Sequence, residues 1–359
     1  MTLSRRRALE IAAATLAWPN IAAAAEPAFA LVPAPLVAAA RQSMVTPMGA
    51  YALRAAQRTL ERMPQPLPVV HTEGTLPGQG IYDQSVEAKR DWQAALDAAL
   101  GSAVGGNAML AEKAMELVSA WLPVYRISLN PIDETDWDRM MLALDLVLGP
   151  ARERVSAAFT AFCRSMATGY LDAMPRVRGG TATNNWQSHR VKLATLAAFA
   201  AGDARLAERA HAAFRRQLAD NIRRDGTVLD FAERDALHYV VYDLEPLAVS
   251  ALAAKTHGQD WYADGNGALA RALNWLAPYA QGVKTHVEYG RSIVEFDRVR
   301  AAAGMPGFGG LWQRDTAEYL FALAARLDTQ FLPLANALTP GFEGTRRPRA
   351  PWLHLTMPV

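Results

Sequence analysis

Residues 149–166 read "GPARERVSAAFTAFCRSM", and their apolar side chains fall at Val155, Phe159, Phe162 and Met166. Offsets of four, seven and eleven place them on one face of an α-helix. Gly149-Pro150 ends whatever precedes it and opens the new helix. The same spacing recurs at Leu110, Ala114, Leu117 and Trp121, and at Trp137, Met141, Leu144 and Leu148. Phe214, Leu218 and Ile222 continue it, and Gly202-Asp203 reads as a helix stop followed by a cap. Further helices are expected over 84–100, 236–255, 266–280 and 313–327. Alternating strands are missing. Only "RDGTVLDF", 224–231, is expected to hold a short extended piece. The expected class is therefore all-α, with short connections pairing antiparallel helices into a bundle, a solenoid or a closed toroid.

The chain has 359 residues, 51% hydrophobic and 20% charged, enough to bury a large core in one or two domains. Its start, with Arg5, Arg6 and Arg7 before an alanine-rich apolar run, is expected to be an export signal of twin-arginine type over 1–25. That run is too short for a membrane anchor. Losing it removes three Arg and one Glu from a net charge of +2, so nothing points to a nucleic-acid partner. A single domain is expected over 26–338, then a Pro-rich tail over 339–359. Cys163, the only cysteine, lies in an apolar helical context and reads as buried packing. No CxxC, HExxH or phosphate loop is present, and no metal or cofactor is expected.

The chemistry is sought in polar clusters. In "TNNWQSHRVKL", 183–193, Asn185 and His189 are four residues apart on one helix face, with Asn184 as cap or ligand. In "DFAERDALHYVVYDLEPL", 230–247, a continuous helix from Arg234 would put His238 on its face, with Tyr239 and Tyr242 close by. That grouping suits an anion. "KTHVEYGRSIVEFDRVR", 284–300, offers His286 and Arg291 within a dense mixture of charges. Two long loops, 63–85 with His71, Glu73 and Asp83, and 125–138 with Asn130, Asp133 and Glu134, are further places for binding groups.

"NNWQSHR", "ERDALHYVVYDLEPL" and "EGTLPGQGIYDQS…NPIDET" resemble the alginate lyase superfamily of polysaccharide lyases, over roughly 63–327. The resemblance implies an incomplete (α/α) toroid whose cleft takes an acidic polysaccharide, cleaved by β-elimination. It implies Tyr239 as the proton carrier, with Asn185, His189 and Arg234 neutralising the uronate carboxylate. His189 as the base and Tyr242 as the tyrosine are the alternatives. His238, Tyr242, Asn130, Asn184, His286 and Arg291 are expected to bind substrate, and Trp186 to stack on a sugar or in the core. In the better-known members a histidine follows the asparagine directly, whereas here Trp186 does, which points to a branch near glucuronan and polymannuronate lyases. A periplasmic or secreted location follows from the export signal. Rival readings are a toroid hydrolase using carboxylates such as Asp133, Glu134 and Asp230, and an exported, non-catalytic polysaccharide-binding protein.

Overall fold

The structure, a computed structural model, describes residues 27–305, 307–341 and 348–359. The expected export signal lies outside the described residues. Among them are fifteen α-helices and no strand, and two isolated bridges, Ile222–Val228 and Val287–Leu311. The first bridge is all that the "RDGTVLDF" segment contributes as extended structure.

The helices are α1 Ala34–Ala39, α2 Pro47–Gln57, α3 Tyr82–Gly105, α4 Ala108–Trp121, α5 Asp138–Leu146, α6 Pro150–Ala173, α7 Asn185–Ala200, α8 Ala204–Asn221, α9 Leu229–Arg234, α10 Leu237–Thr256, α11 Asp264–Ala280, α12 Glu295–Ala302, α13 Glu318–Leu327, α14 Leu332–Leu338 and α15 Pro351–Thr356. The stops behave as the sequence predicts. Gly202 takes φ +60°, and Asp203 caps α8 by accepting from the amides of Arg205 and Leu206.

Helices pack as a ring of pairs. α3 contacts α2, α4 and α5; α7 lies against α6, α8 and α10; α10 against α11 and α13; and α13 against α14. This is the incomplete (α/α) toroid that the sequence led us to expect. The stripe that opened the sequence belongs to an outer helix, α6, whose Val155, Phe159, Cys163 and Met166 face inward. An inner helix such as α7 is buried from Asn185 to Ala200 except at Trp186, so it carries no stripe.

Both ends of the described chain are built into this body. The buried carboxylate of Asp145 accepts the amides of Ala30, Leu31 and Val32 at 2.8–3.1 Å, which holds the first described segment in the core. Residues 348–359, expected as part of a tail, instead place Trp352, Leu353, Leu355 and Met357 in the core. There α15 touches α1, α2 and α13 and so spans the gap between the last helices of the ring and the first.

Candidate active site

The site is built where α9 gives way to α10. Asp235 adopts a left-handed φ of +50°, a conformation that aspartate tolerates better than most residues, and it stops α9 at Arg234. The continuous helix expected from Arg234 onward is therefore broken, and Arg234 and His238 do not share a helix face. The reversal brings Arg234 onto Tyr239 instead, its guanidinium carbon 3.8 Å from the ring centroid. Arg234 Nη1 also donates to Asp297 at 2.5 Å, and Ser292 Oγ donates to the other oxygen of Asp297 at 2.7 Å.

α10 has no capping side chain of its own. The buried Glu288 carboxylate supplies one, accepting from the amides of Leu237 at 2.9 Å and His238 at 3.3 Å. Glu288 belongs to a strap, described over residues 281–305 and 307–313, that lies between α11 and α13 across this junction. Asp235 is where the strap is fastened. Its carboxylate accepts from Arg291 N, Nε and Nη2 at 2.9–3.2 Å, and its carbonyl accepts from His286 Nε2 at 2.8 Å and Tyr289 N at 2.9 Å. The strap carries Arg300, whose Nη1 donates to Tyr239 Oη at 3.1 Å.

Tyr239 is buried at 8% exposure, and His238, Tyr242 and Tyr289 lie edge-on to its ring with centroids 5.4–6.2 Å away. Burial raises its phenol pKa above the usual value, while Arg234 and Arg300 pull it back down. The Nε atoms of Arg234 and Arg300 and the Oη of Tyr289 are buried and have no hydrogen-bond partner among the described residues. Three polar groups so placed beside one phenol are suited to an anionic ligand.

Tyr242 links this group, the mouth, to a second region, the floor. A cavity of about 210 Å³ is bounded by α3, α5, α7, α10 and α13, with Thr135, Asp138, His189, Lys192, Tyr242 and Arg349 in its lining. His189 Nδ1 is 2.6 Å from Thr135 Oγ1, and its ring lies 4.3 Å from that of Tyr242. Lys192 Nζ donates to Thr135 O, Thr135 Oγ1 and Asp138 Oδ2 at 2.7–2.9 Å. Burial, with help from the Lys192 charge, holds the His189 pKa well below the ordinary histidine value, so its imidazole is neutral at pH 7.

The predicted residues thus divide. Tyr239, Arg234, His238 and Tyr242 come together, with His238 exposed on the first turn of α10. His189 reaches Tyr242 from the floor. Asn185 meets a carboxylate as expected, but the protein's own: its amide N donates to Asp230 at 2.7 Å and its Nδ2 donates to the same group. Asn184 caps α7 through Trp186 N, and Asn130 shapes its loop by accepting from the amides of Ile132 and Asp133. His286 and Arg291 fasten the strap. Trp186 is half-buried, 5.8 Å from the Arg190 guanidinium. The sequence reading passed over Arg300, Lys192 and Thr135. Arg300 closes the charge-dense 284–300 segment, and Lys192 follows His189 by three, so both stood at the edge of clusters already noted.

The carboxylates of the hydrolase reading are spoken for. Asp133 accepts from His71 Nδ1, Thr72 N and Oγ1, and Glu73 N at 2.7–3.1 Å. Glu134 is buried under Tyr125, Tyr170 and Ser128, all of which donate to it. Asp230 is held by Asn185, and burial raises its pKa.

Comparison with known proteins places the chain in a family. Among solved structures, an alginate lyase from Bacteroides ovatus superposes with a TM-score of 0.64 at 16% identity, covering 90% of this chain and 98% of that one. Alginate lyase A1-III from Sphingomonas species A1 does so at 0.56 and 18%, covering 83% and 90%. A variant of A1-III complexed with tetrasaccharide gives 0.56 and 18%, covering 82% and 89%. These likenesses speak for the fold. A curated protein called polysaccharide lyase, from Stenotrophomonas maltophilia, is 43% identical over 74 residues, and the match spans 20% of this chain and 22% of that relative's length. The alginate lyase family model matches residues 39–286, which include the α9–α10 junction and every helix from α2 to α11, and the chain belongs to the alginate lyase family.

Proposed function

We propose that this chain is a polysaccharide lyase that cleaves a β-1,4-linked polyuronate by β-elimination, with Tyr239 as the proton carrier. The observation that carries the reading is the setting of the Tyr239 phenol between two arginines whose Nε atoms, like the nearby Tyr289 Oη, are buried without a hydrogen-bond partner among the described residues. In the reaction the C5–H bond breaks and its electrons form the C4–C5 double bond. The C4–O bond breaks in turn, and the departing glycosidic oxygen takes up a proton. Negative charge builds on the C5 carboxylate as the proton leaves, so preorganised donors there accelerate the step. Arg234 supplies one from a guanidinium fixed by Asp297.

Tyr239 serves as both base and acid in this reading. His189 is less suited to the first role, because it is buried beneath Tyr242 with Nδ1 engaged by Thr135. It and Asn185 then support the site from behind. One carrier for both transfers requires the C5 proton and the C4 oxygen on the same side of the sugar ring. D-mannuronate and D-glucuronate meet that condition and L-guluronate does not, so polymannuronate and glucuronan are the proposed substrates. The twin-arginine export signal over 1–25 and a periplasmic or secreted location belong to the same proposal.

The experiment is ultraviolet absorbance of the protein mixed with polymannuronate, glucuronan and polyguluronate, since elimination creates a double bond conjugated to the carboxylate and hydrolysis does not. Absorbance rising on either of the first two and not on the third is the expected result. Cleavage of polyguluronate alone would overturn the single-carrier mechanism. New reducing ends without absorbance would move the assignment to a hydrolase, and neither signal would favour a binding protein.

A further inference from the structure

Arg234 and Arg300 approach Tyr239 in different ways. Arg234 lies on the ring face, and its Nη1 is committed to Asp297. Arg300 lies over the rings of Phe296 at 4.3 Å and Phe308 at 5.1 Å, and its Nη1 reaches the phenol oxygen itself. The groups around Tyr239 are Arg234 from α9, His238 and Tyr242 on α10, Tyr289 from the strap, and Asp297 and Arg300 on α12. Of these, Arg300 is the cation that donates to Oη.

We propose that Arg300 is a positioning residue that fixes the Tyr239 oxygen for proton transfer and stabilises it as a phenolate, delivered by a strap latched on Asp235. This rests on the reading of Tyr239 as the proton carrier. A hydrogen bond from a permanent cation strengthens when its acceptor becomes an anion, so it favours the ionised phenol. Burial opposes that ionisation, and the hydrogen bond from Arg300 works against burial. The latch explains how an arginine 61 residues further along the chain arrives with a defined geometry. Arg291, His286 and Tyr289 N hold the strap at Asp235, and Ile293 N donates to Glu233 O at 2.9 Å just beyond. The family match ends at residue 286, so Arg300 and the strap residues Tyr289, Arg291 and Ile293 lie beyond the matched segment, while Asp235, Tyr239 and His286 lie within it.

The test is an alkaline difference titration of tyrosinate absorbance, which isolates Tyr239 by subtracting Tyr239→Phe in each background. In Arg300→Met the Tyr239 ionisation is expected about one pH unit higher than in the native protein, with Arg300→Lys between them. The rising limb of kcat/KM against pH moves by the same amount, which costs about tenfold in rate below that limb. Arg300→Gln replaces Arg300→Met if the latter does not fold. An unchanged Tyr239 ionisation, or Arg300→Lys behaving like Arg300→Met, overturns the proposal. If the ionisation moves while the native protein cleaves no polyuronate, the lyase reading fails and the role of Arg300 on the phenol stands.

Discussion

The floor and the mouth share one helix, α10, yet they treat their polar groups differently. On the floor the ions are answered by one another. Lys192 has Asp138 and Thr135, Arg349 has Glu245 at 3.2 Å and the Thr316 carbonyl at 2.8 Å, and Asp136 lies between Lys89 and Arg139. His189 Nε2 is the exception there. At the mouth, Arg234 and Arg300 converge on a phenol and keep unpaired donors. Burial makes unanswered polar groups costly, so a site that retains several beside a titratable oxygen is organised around a ligand, and one that pairs nearly all of them is organised around stability. The difference teaches where to look for loss of rate and where for loss of folding.

The largest effect expected is from Tyr239→Phe. It should lower kcat on the preferred polyuronate about 1,000-fold, with KM and thermal midpoint close to native. Loss of polymer binding together with activity would break the division, because a mouth residue would then be carrying structure.

Lys192→Met tests the other side. It removes one partner of a buried ion pair, and urea unfolding is expected to register a loss of about 3 kcal/mol. Activity lost at undiminished stability would put the floor into the chemistry.

A smaller effect concerns pH. The His189 pKa is depressed in the folded state, so the stability it contributes is complete above the unfolded value and is lost as pH falls below about 6.5. His189→Gln should remove up to about 1.4 kcal/mol per pH unit from the slope of stability between about pH 6 and 5. Equal slopes in the two proteins would mean that the imidazole is not held neutral.

The smallest expected effect is that of Arg291→Ala. Its side chain is 83% exposed, so the loss in global stability should be small. Faster proteolysis within 284–304 is nevertheless expected, because the latch on Asp235 is weakened. A resistant strap would show that His286 and the backbone bonds suffice.

Much of this was legible along the chain. Outer helices announce themselves by one apolar face, as α6 and α8 do, and glycine with a following cap marks their ends. The (α/α) toroid and the Arg234–Tyr239 pairing followed from local pattern together with family resemblance. The pairing was correct for the wrong reason, however. Asp235 breaks the helix without the Gly or Pro that usually signals a break, and the turn itself places the guanidinium on the ring. Asn185 was likewise placed beside a carboxylate, yet nothing local named Asp230, 45 residues on, as that carboxylate.

The sequence by itself determined the elements: which segments are helical, where most of them stop, and which polar residues stand out against an apolar background. Those are short-range matters, decided by side-chain periodicity and by backbone preferences within a few residues. Only the tertiary structure decided which polar residues pair off as structure and which remain for chemistry. That choice depends on burial and on partners far along the chain, because a charge is neutral scaffolding or active machinery according to what the folded ring sets against it.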